Sequence, residues 1–220
     1  MTFPRFGLVA MLLASVTVPA NAHPHIFVDT GLEIIFDNQG KLTHVKVTWK
    51  YDDLYSLFLA EDYKLDPDHD GELTDLERDH LTGFDADWVE GYAGDLEVVL
   101  GGKVLTLSGP LEPTADMVDG RIISTHLREV SGTPAIEGDT VSLKAFDPSH
   151  YTAYDMTLPV KVSGRSDCTF QRVEPDIDGQ LAQMQALLLT LDADADLEEN
   201  DIPLIGGEFA TDIRVTCPAL

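Results

Sequence analysis

Alternating apolar and polar residues predict that the chain, after an apolar leader, opens with a β-hairpin. In residues 42–51, Val45, Val47 and Trp49 alternate with polar residues, which is the period of a half-buried strand. Residues 25–36 are predicted to form the partner strand, and the turn-forming residues 37–40 lie between the two.

The period of the pattern changes from that of a strand to that of a helix after Asp52. Leu54, Leu57 and Phe58 recur at helical spacing, and apolar residues continue at that spacing beyond an acidic loop. Residues 52–91 are therefore predicted to form a helical insertion with the acidic loop at its centre.

The remaining chain returns to short segments with strand periodicity, separated by turn signals. The predicted strands are residues 96–100, 103–107, 121–129, 140–146, 154–162, 169–173 and 213–215, with a tight hairpin at Gly101-Gly102. A helix is predicted over residues 181–191, starting near Ile177 or Asp178, and the acidic residues 192–201 are expected to be exposed. These elements indicate an α+β fold, with a mainly antiparallel β-sandwich-like body, an EF-hand-like helix–loop–helix insertion and a C-terminal helix.

Residues 1–22 have the features of a secretory signal peptide. Arg5 precedes an apolar run over residues 7–18, and Ala20-Asn21-Ala22 fits the small-residue rule for cleavage. The run is shorter than the roughly 20 apolar residues of a membrane-spanning helix, so an uncleaved anchor is the weaker alternative. We expect cleavage after Ala22, leaving residues 23–220 as a single periplasmic domain that is not an integral membrane protein.

The charge balance favours cations as partners. The chain has 39 acidic and 14 basic residues, which gives a formal net charge of −25. Nucleic acids and anionic membrane surfaces bind clustered Lys and Arg, so neither is an expected partner. The apolar fraction of 44% is typical of a globular protein, so the acidic residues do not indicate disorder.

The two cysteines, Cys168 and Cys217, predict one disulfide, because an even number of cysteines in an exported chain favours pairing. The alternative is a thiolate site for metal or redox chemistry. The sequence contains no C-x-x-C motif, which disfavours that alternative.

Residues 66–77, with the sequence DPDHDGELTDLE, match the EF-hand calcium loop at every constrained position. The predicted ligands supply carboxylate, carbonyl or hydroxyl oxygens at alternating loop positions and at the last one: Asp66, Asp68, Asp70, Glu72, Thr74 and Glu77. Gly71 permits the sharp turn in the middle of the loop. The alternative interpretation is an acidic, solvated loop between two helices.

A second acidic segment offers a comparison within the same sequence. Residues 192–196 repeat the alternation of Asp, but Leu197 stands where the motif needs Gly, and Pro203 stands where it needs Glu. We expect no calcium there. Extracellular EF-hand-like modules bind calcium with dissociation constants of roughly 10⁻⁴ to 10⁻³ M, which favours a structural ion at residues 66–77.

His23 and His25 are predicted to bind a transition metal at the mature N-terminus. Pro24 has no N–H, which excludes the square-planar site built from deprotonated amides. Two geometries stay open: a chelate of the terminal amine with the His23 imidazole, and a site of imidazoles alone on the strand face shared with Phe27 and Asp29. Such ligands suit Ni²⁺, Co²⁺, Zn²⁺ or Cu²⁺. The alternative is a frayed polar terminus.

Other residues are candidates to complete this site: His44, His126, Asp147 and His150. Taken singly, each histidine among them is expected at the surface. His69 and His80 belong to the region of the acidic loop, where we expect them to be exposed or to pack against neighbours.

Several of these segments together resemble a family of uncharacterised bacterial periplasmic proteins. The resemblance rests on HPHIFVD at the mature start, VTWKYDD, DPDHDGELTDLE, FDPSHY and the late Cys168/Cys217 pair. Members carry the HPH-aromatic start and are labelled as the periplasmic component of an ABC-type transport system, associated with nickel/cobalt-type transporters. The resemblance implies an inner-membrane metal transporter as the partner.

The expected function is that of a periplasmic metal-binding accessory to transition-metal transport, with calcium stabilising the scaffold. The alternative is a calcium-dependent extracytoplasmic interaction module with no transition-metal role. A third hypothesis is a copper oxidase that uses the N-terminal histidine. Because the sequence lacks a Ser-His-Asp order, a nucleophile elbow, a phosphate loop and an HExxH motif, an enzyme is not expected.

Overall fold

The larger of two β-sheets contains the predicted N-terminal hairpin at its centre. The computed structural model describes residues 25–89, 92–149, 151–188 and 206–219. The hairpin strands are β1 (Ile26–Phe36) and β2 (Leu42–Tyr51), and further strands of this sheet are β5 (Leu111–Val118), β6 (Arg121–Glu129), β8 (Thr152–Asp155) and β9 (Val160–Ser163). Within the described ranges the order is β5-β6-β2-β1, and β8 and β9 follow one another along the other edge of β1.

The smaller sheet is formed by five short strands in the order β10-β11-β7-β3-β4. Their bounds are β3 (Leu96–Leu100), β4 (Lys103–Val104), β7 (Thr140–Ala145), β10 (Thr169–Val173) and β11 (Asp212–Thr216). All of its strand pairs are antiparallel.

The core consists of the facing sides of the two sheets. Val28, Ile34 and Val47 are buried on the larger sheet, and Leu143 and Ile213 are buried on the smaller one, all within a single hydrophobic cluster. Alternation along β2 directs Lys46, Thr48 and Lys50 to the outer side. The arrangement is α+β and sandwich-like, as the sequence predicts.

Two helices lie between β2 and β3. Helix α1 (Asp53–Tyr63) starts at the N-cap Asp52, whose carboxylate accepts the Tyr55 N–H at 2.8 Å. It packs on β6, where the buried Ser56 hydroxyl accepts the Ile122 N–H at 2.9 Å. Helix α2 (Asp75–Leu81) is short and starts with a capping box. Helix α3 (Ile177–Leu188) precedes residues outside the described ranges, and a 3₁₀ turn spans Gly206–Glu208.

Two sequence predictions about elements are wrong, and one strand was missed. The single strand predicted over residues 154–162 is two strands, β8 and β9, and both pair parallel with β1, so the larger sheet is mixed. Strand β5 was not predicted. The helical pattern predicted up to residue 91 ends at Leu81, because Gly83 follows with φ +88°, and residues 83–86 form turns instead.

The predicted disulfide joins Cys168 to Cys217. It closes the end of the antiparallel pair β10–β11, where Thr169 lies opposite Thr216. Cys217 is fully buried.

No helix among the described residues is long and apolar enough to cross a membrane. The predicted signal peptide, residues 1–22, and the acidic residues 192–201 lie outside the described residues.

Candidate functional site

The acidic loop at residues 66–77 brings three carboxylates together between α1 and α2. Oxygens of Asp66, Asp68 and Asp70 all lie within 4.8 Å of one another. These residues alternate along the loop, and Gly71 follows with φ +79°, a conformation that favours glycine. The chain can therefore turn back sharply and keep the three side chains on the inside of the turn.

Asp66 closes the loop through its own carboxylate. One oxygen accepts the Asp70 N–H at 2.9 Å, and the other accepts the Gly71 N–H at 3.1 Å. Asp70 in turn accepts the Glu72 N–H at 2.9 Å. The side chains that would bind a cation therefore also fix the backbone of the turn.

Glu77, the predicted bidentate ligand, is not among the three clustered carboxylates. One of its oxygens accepts the Asp66 N–H at 2.9 Å, and the other accepts the Thr74 hydroxyl at 2.6 Å and the Thr74 N–H at 2.8 Å. The Thr74 hydroxyl contributes most to lowering the pKa of Glu77, followed by the two N–H groups. To bind a cation beside Asp66, the Glu77 carboxylate has to exchange these donors for the ion.

The loop is held against the hairpin β5–β6. Leu73 is buried, and its carbonyl accepts a hydrogen bond from Arg78 at 3.1 Å. The same Arg78 nitrogen contacts Asp116 of β5 at 3.1 Å. Residues 70–73 and 116–120 line one shared depression. The β5–β6 hairpin therefore supports one side of this loop.

The residues of the loop fit calcium by donor chemistry. Clustered carboxylates with nearby carbonyl and hydroxyl oxygens are hard ligands, and Ca²⁺ tolerates the variable geometry that such a loop provides. His69 within the loop and His80 on α2 are exposed, as expected, and the His80 ring contacts Tyr63 with centroids 5.5 Å apart.

His25 lies at the start of β1, beside Tyr151. Its N–H donates to the Tyr151 carbonyl at 2.8 Å, and the two ring centroids are 4.9 Å apart. His25 and Phe27 are exposed and Asp29 is half-buried, while the intervening Val28 is buried. The other tentative ligand, His23, and the further candidate His150 lie outside the described residues.

The carboxylates near His25 already have partners. Asp147 accepts four hydrogen bonds, from the Ser149 N–H and hydroxyl at 2.8 and 2.7 Å and from the Tyr151 and Thr152 N–H groups at 3.1 Å each. Burial alone would raise the pKa of Asp147, but these bonds together lower it. Asp29 pairs with Arg121 at 2.8 Å. Asp147 thus holds Ser149, Tyr151 and Thr152 in place near His25, and binding a metal would compete with those bonds.

The remaining two histidine candidates lie on opposite faces of the larger sheet. His44 is partly exposed on the outer face of β2, whereas His126 points inward from β6 and is only 2% exposed. The expectation that His126 is a surface residue is therefore wrong. Strand β6 alternates its side chains, and its inner face carries Ser124, His126 and Arg128 next to Ile122.

His126 is the centre of a buried aromatic cluster that the sequence analysis did not identify. Its ring lies 4.6 Å from Trp49 and 5.7 Å from Trp88, between centroids, and the Arg128 guanidinium lies 4.6 Å from the Trp88 ring. Burial and the neighbouring Arg128 charge lower the pKa of His126 from 6.5 to about 4. The signal that could have identified this cluster is the alternation of β6, which places residues 124, 126 and 128 on the side of Ile122.

Gly94 allows the chain to close over this cluster. A Cβ atom at this position would lie 2.4 Å from Arg128 Nη1 and 2.6 Å from the Trp88 ring, and the backbone has φ +79°. Trp49 Nε1, His126 Nε2 and Arg128 Nη1 have no hydrogen-bond partner within the described part of the chain. The close approach at Gly94 shows that the cluster is tightly packed.

Comparison with known proteins adds a family but no characterised relative. A search of curated proteins found no match. The profile of a family described as "Protein of unknown function (DUF1007)" matches residues 8–217, which is nearly the whole chain. The chain therefore belongs to the DUF1007 family.

Proposed function

We propose that this protein is an extracytoplasmic calcium-binding accessory protein, with the ion held in the loop of residues 66–77. The observation that carries the proposal is the group of Asp66, Asp68 and Asp70, whose carboxylate oxygens lie within 4.8 Å of one another. Three like charges so close repel one another unless a cation joins them. The disulfide supports the extracytoplasmic location, since such bonds persist in oxidising compartments.

In this proposal calcium has a structural role. The ion would bind the three Asp side chains, the Glu72 carbonyl and Glu77, with Thr74 ligating directly or through water. The loop contacts β5 through Arg78 and Asp116, so the ion would fix the position of the α1–α2 unit on the larger sheet. The role is that of binding, without a catalytic step.

Asp66→Asn is expected to weaken calcium binding at least about 100-fold, because it removes a charged ligand from a site in which ligand charge sets affinity. Titration calorimetry of the wild type should show one site with a dissociation constant of roughly 10⁻⁴ to 10⁻³ M. Calcium at about ten times that constant should raise the free energy of unfolding by about 1.4 kcal/mol.

Asp75→Asn is the matched control, because it makes the same charge change at a fully exposed position next to the loop ligands. Its calcium affinity should stay within about twofold of the wild type, since an exposed ion pair contributes little. Equal losses in both variants would indicate a general charge effect. A wild type that shows neither heat nor stabilisation in millimolar calcium would refute the calcium proposal.

We also propose a transition-metal role for the mature N-terminus, in support of an inner-membrane metal transporter. The observation that favours this role is the position of His25, whose backbone bonds to Tyr151 and whose ring lies against the Tyr151 ring. Imidazole held at a strand start, together with a terminal amine and the His23 ring, suits Ni²⁺, Co²⁺, Zn²⁺ or Cu²⁺. Binding there would deliver the metal to, or receive it from, the transporter.

One extra Ala before His23 is expected to lower transition-metal affinity about tenfold or more, because it separates the terminal amine from the His23 imidazole. Calorimetry with each of the four metals should show this loss, while calcium affinity stays unchanged. Unchanged affinity in the extended protein would exclude the terminal amine as a ligand. N-terminal sequencing of the exported protein should find His23 as the first residue.

A further inference from the structure

Helix α1 exposes three large apolar side chains on one face. Leu54, Leu57 and Phe58 are 62%, 58% and 64% exposed, and Phe27 beside the start of the helix is 52% exposed. The spacing of the three helical residues places them in one stripe, while Ser56 and Leu59 are buried on the opposite side. We call Leu54, Leu57 and Phe58 the α1 surface.

The α1 surface lies close to the start of β1, where His25 is found. The Asp52 N–H donates to the Phe27 carbonyl at 2.9 Å, and the Phe27 N–H donates to the Asp52 carboxylate at 2.8 Å. Asp52 caps α1, and Phe27 is two residues from His25. The helix therefore starts close to His25, the proposed transition-metal ligand that the structure describes.

Acidic residues lie at both ends of the stripe. Asp53 is exposed at the first turn of α1, and Glu61 and Asp62 are exposed at the last turn. No basic residue occurs within the helix, and Lys64 follows at its C-cap. The surface thus combines an apolar centre with negative ends, and exposed apolar stripes of this kind mark interaction sites.

The acidic residues at the ends of the α1 surface favour a binding partner with basic residues. A second copy of this chain would bring the same acidic ends together, and the acidic residues 192–201 of the chain itself would meet the same repulsion. Anionic membranes are disfavoured for the same reason. An amphipathic segment with Leu or Phe on one face and Lys or Arg at both ends matches the centre and the ends together.

We propose that the α1 surface docks such an amphipathic, basic-ended segment of a partner protein. The inference rests on the proposed accessory role, for which it supplies the surface that faces the partner. Docking here would hold the partner beside His25, so that a metal ion could pass between the two proteins over a short distance.

The test uses the full mature protein and a synthetic amphipathic peptide of about 16 residues, with Leu and Phe at helical spacing and two Lys at each end. Titration calorimetry should show saturable binding. Phe58→Ser and Leu57→Ser should each weaken it at least about tenfold, because they remove apolar contact at the centre of the surface. Both positions are exposed, so circular dichroism should show an unchanged fold.

Leu76→Ser is the matched control, because Leu76 is 83% exposed on α2, outside the α1 surface. It should leave peptide affinity unchanged. A second peptide with Glu in place of Lys should bind at least about tenfold more weakly, since it places like charges at both ends.

Four results would contradict the docking proposal. Two of them concern the peptides: the Lys peptide does not bind, or the Glu peptide binds equally well. The other two concern a different occupant: the wild type dimerises, or it binds neutral phosphatidylcholine vesicles, and Phe58→Ser abolishes that association. Calcium, transition-metal and Lys-peptide titrations of the wild type separate the two proposals. Normal metal binding without peptide binding refutes docking alone, whereas peptide binding without any metal binding refutes the metal-accessory role alone.

Discussion

Replacing both cysteines, Cys168→Ala with Cys217→Ala, is expected to lower the free energy of unfolding by about 4 kcal/mol. The bridge spans 49 positions of sequence, so without it the unfolded chain gains the conformational freedom of a long loop. Alanine avoids placing a hydroxyl in the buried site of Cys217. Denaturant unfolding of the oxidised wild type and the double variant measures the difference.

Loss of the disulfide should act first on β10, the strand at the edge of the smaller sheet. Four of its five residues, Thr169 to Arg172, are exposed, so apolar packing holds this strand only weakly. Amide exchange in residues 169–173 should therefore accelerate more than exchange in β2. The reduced wild type serves as the control and should match the double variant. A loss below about 1 kcal/mol would contradict the loop-entropy argument.

His126 is expected to make the protein about 3 kcal/mol less stable at pH 4 than at pH 6.5, relative to a variant without this histidine. The pKa is 6.5 for an unfolded histidine and about 4 in the folded state, because burial and Arg128 disfavour the charged ring. Between these values the unfolded chain binds a proton that the folded chain does not. Stability from this group is therefore complete above pH 6.5 and lost as the pH falls towards 4.

The measurement compares urea unfolding of the wild type, His126→Gln and His44→Gln at several pH values. Only His126→Gln should flatten the acid dependence, because His44 is partly exposed on the outer face of the sheet. Asp85 and Asp95 are retained in all three proteins, so their raised pKa values contribute equally. Parallel pH profiles for all three proteins would contradict the lowered pKa of His126.

Local patterns predicted the antiparallel part of the fold well. The residues chosen for β2, β6 and β10 agree with the structure to the residue. For β2 and β6 a neighbouring strand is close in sequence and the strand itself alternates clearly. The predicted disulfide is present in the structure. It could be predicted because two cysteines allow a single intramolecular pairing.

The elements that were missed depend on distant contacts. Strand β5 contains Pro113 and has a register shift after Leu111, so its pattern is irregular and its signal weak. Strands β8 and β9 are separated near Pro159, and both pair with β1, more than 100 residues earlier, with Ile26 opposite Thr152. Parallel pairing over such a distance cannot be recognised from the alternation of apolar and polar residues within the strand.

The two candidate sites differ in how much the sequence could show. The positions of Asp66, Asp68 and Asp70 follow from loop spacing, and the structure brings them together. Glu77 could not be placed from spacing alone, because its side chain can cap α2 or turn towards an ion. The cluster around His126 was missed because polar residues at inward positions of β6 obscured which face is buried.

The parallel pairing of β1 also bears on the order in which the chain can fold. One edge of β1 pairs with β2 as soon as the hairpin forms. The other edge pairs with β8 and β9, so it stays unpaired until residues 152–163 are present. A nascent or truncated chain that ends before residue 152 presents an open strand edge, which is a template for aggregation. A chaperone that covers exposed strand edges should therefore bind chains that end before residue 152. A fragment designed for expression should include residues 152–163.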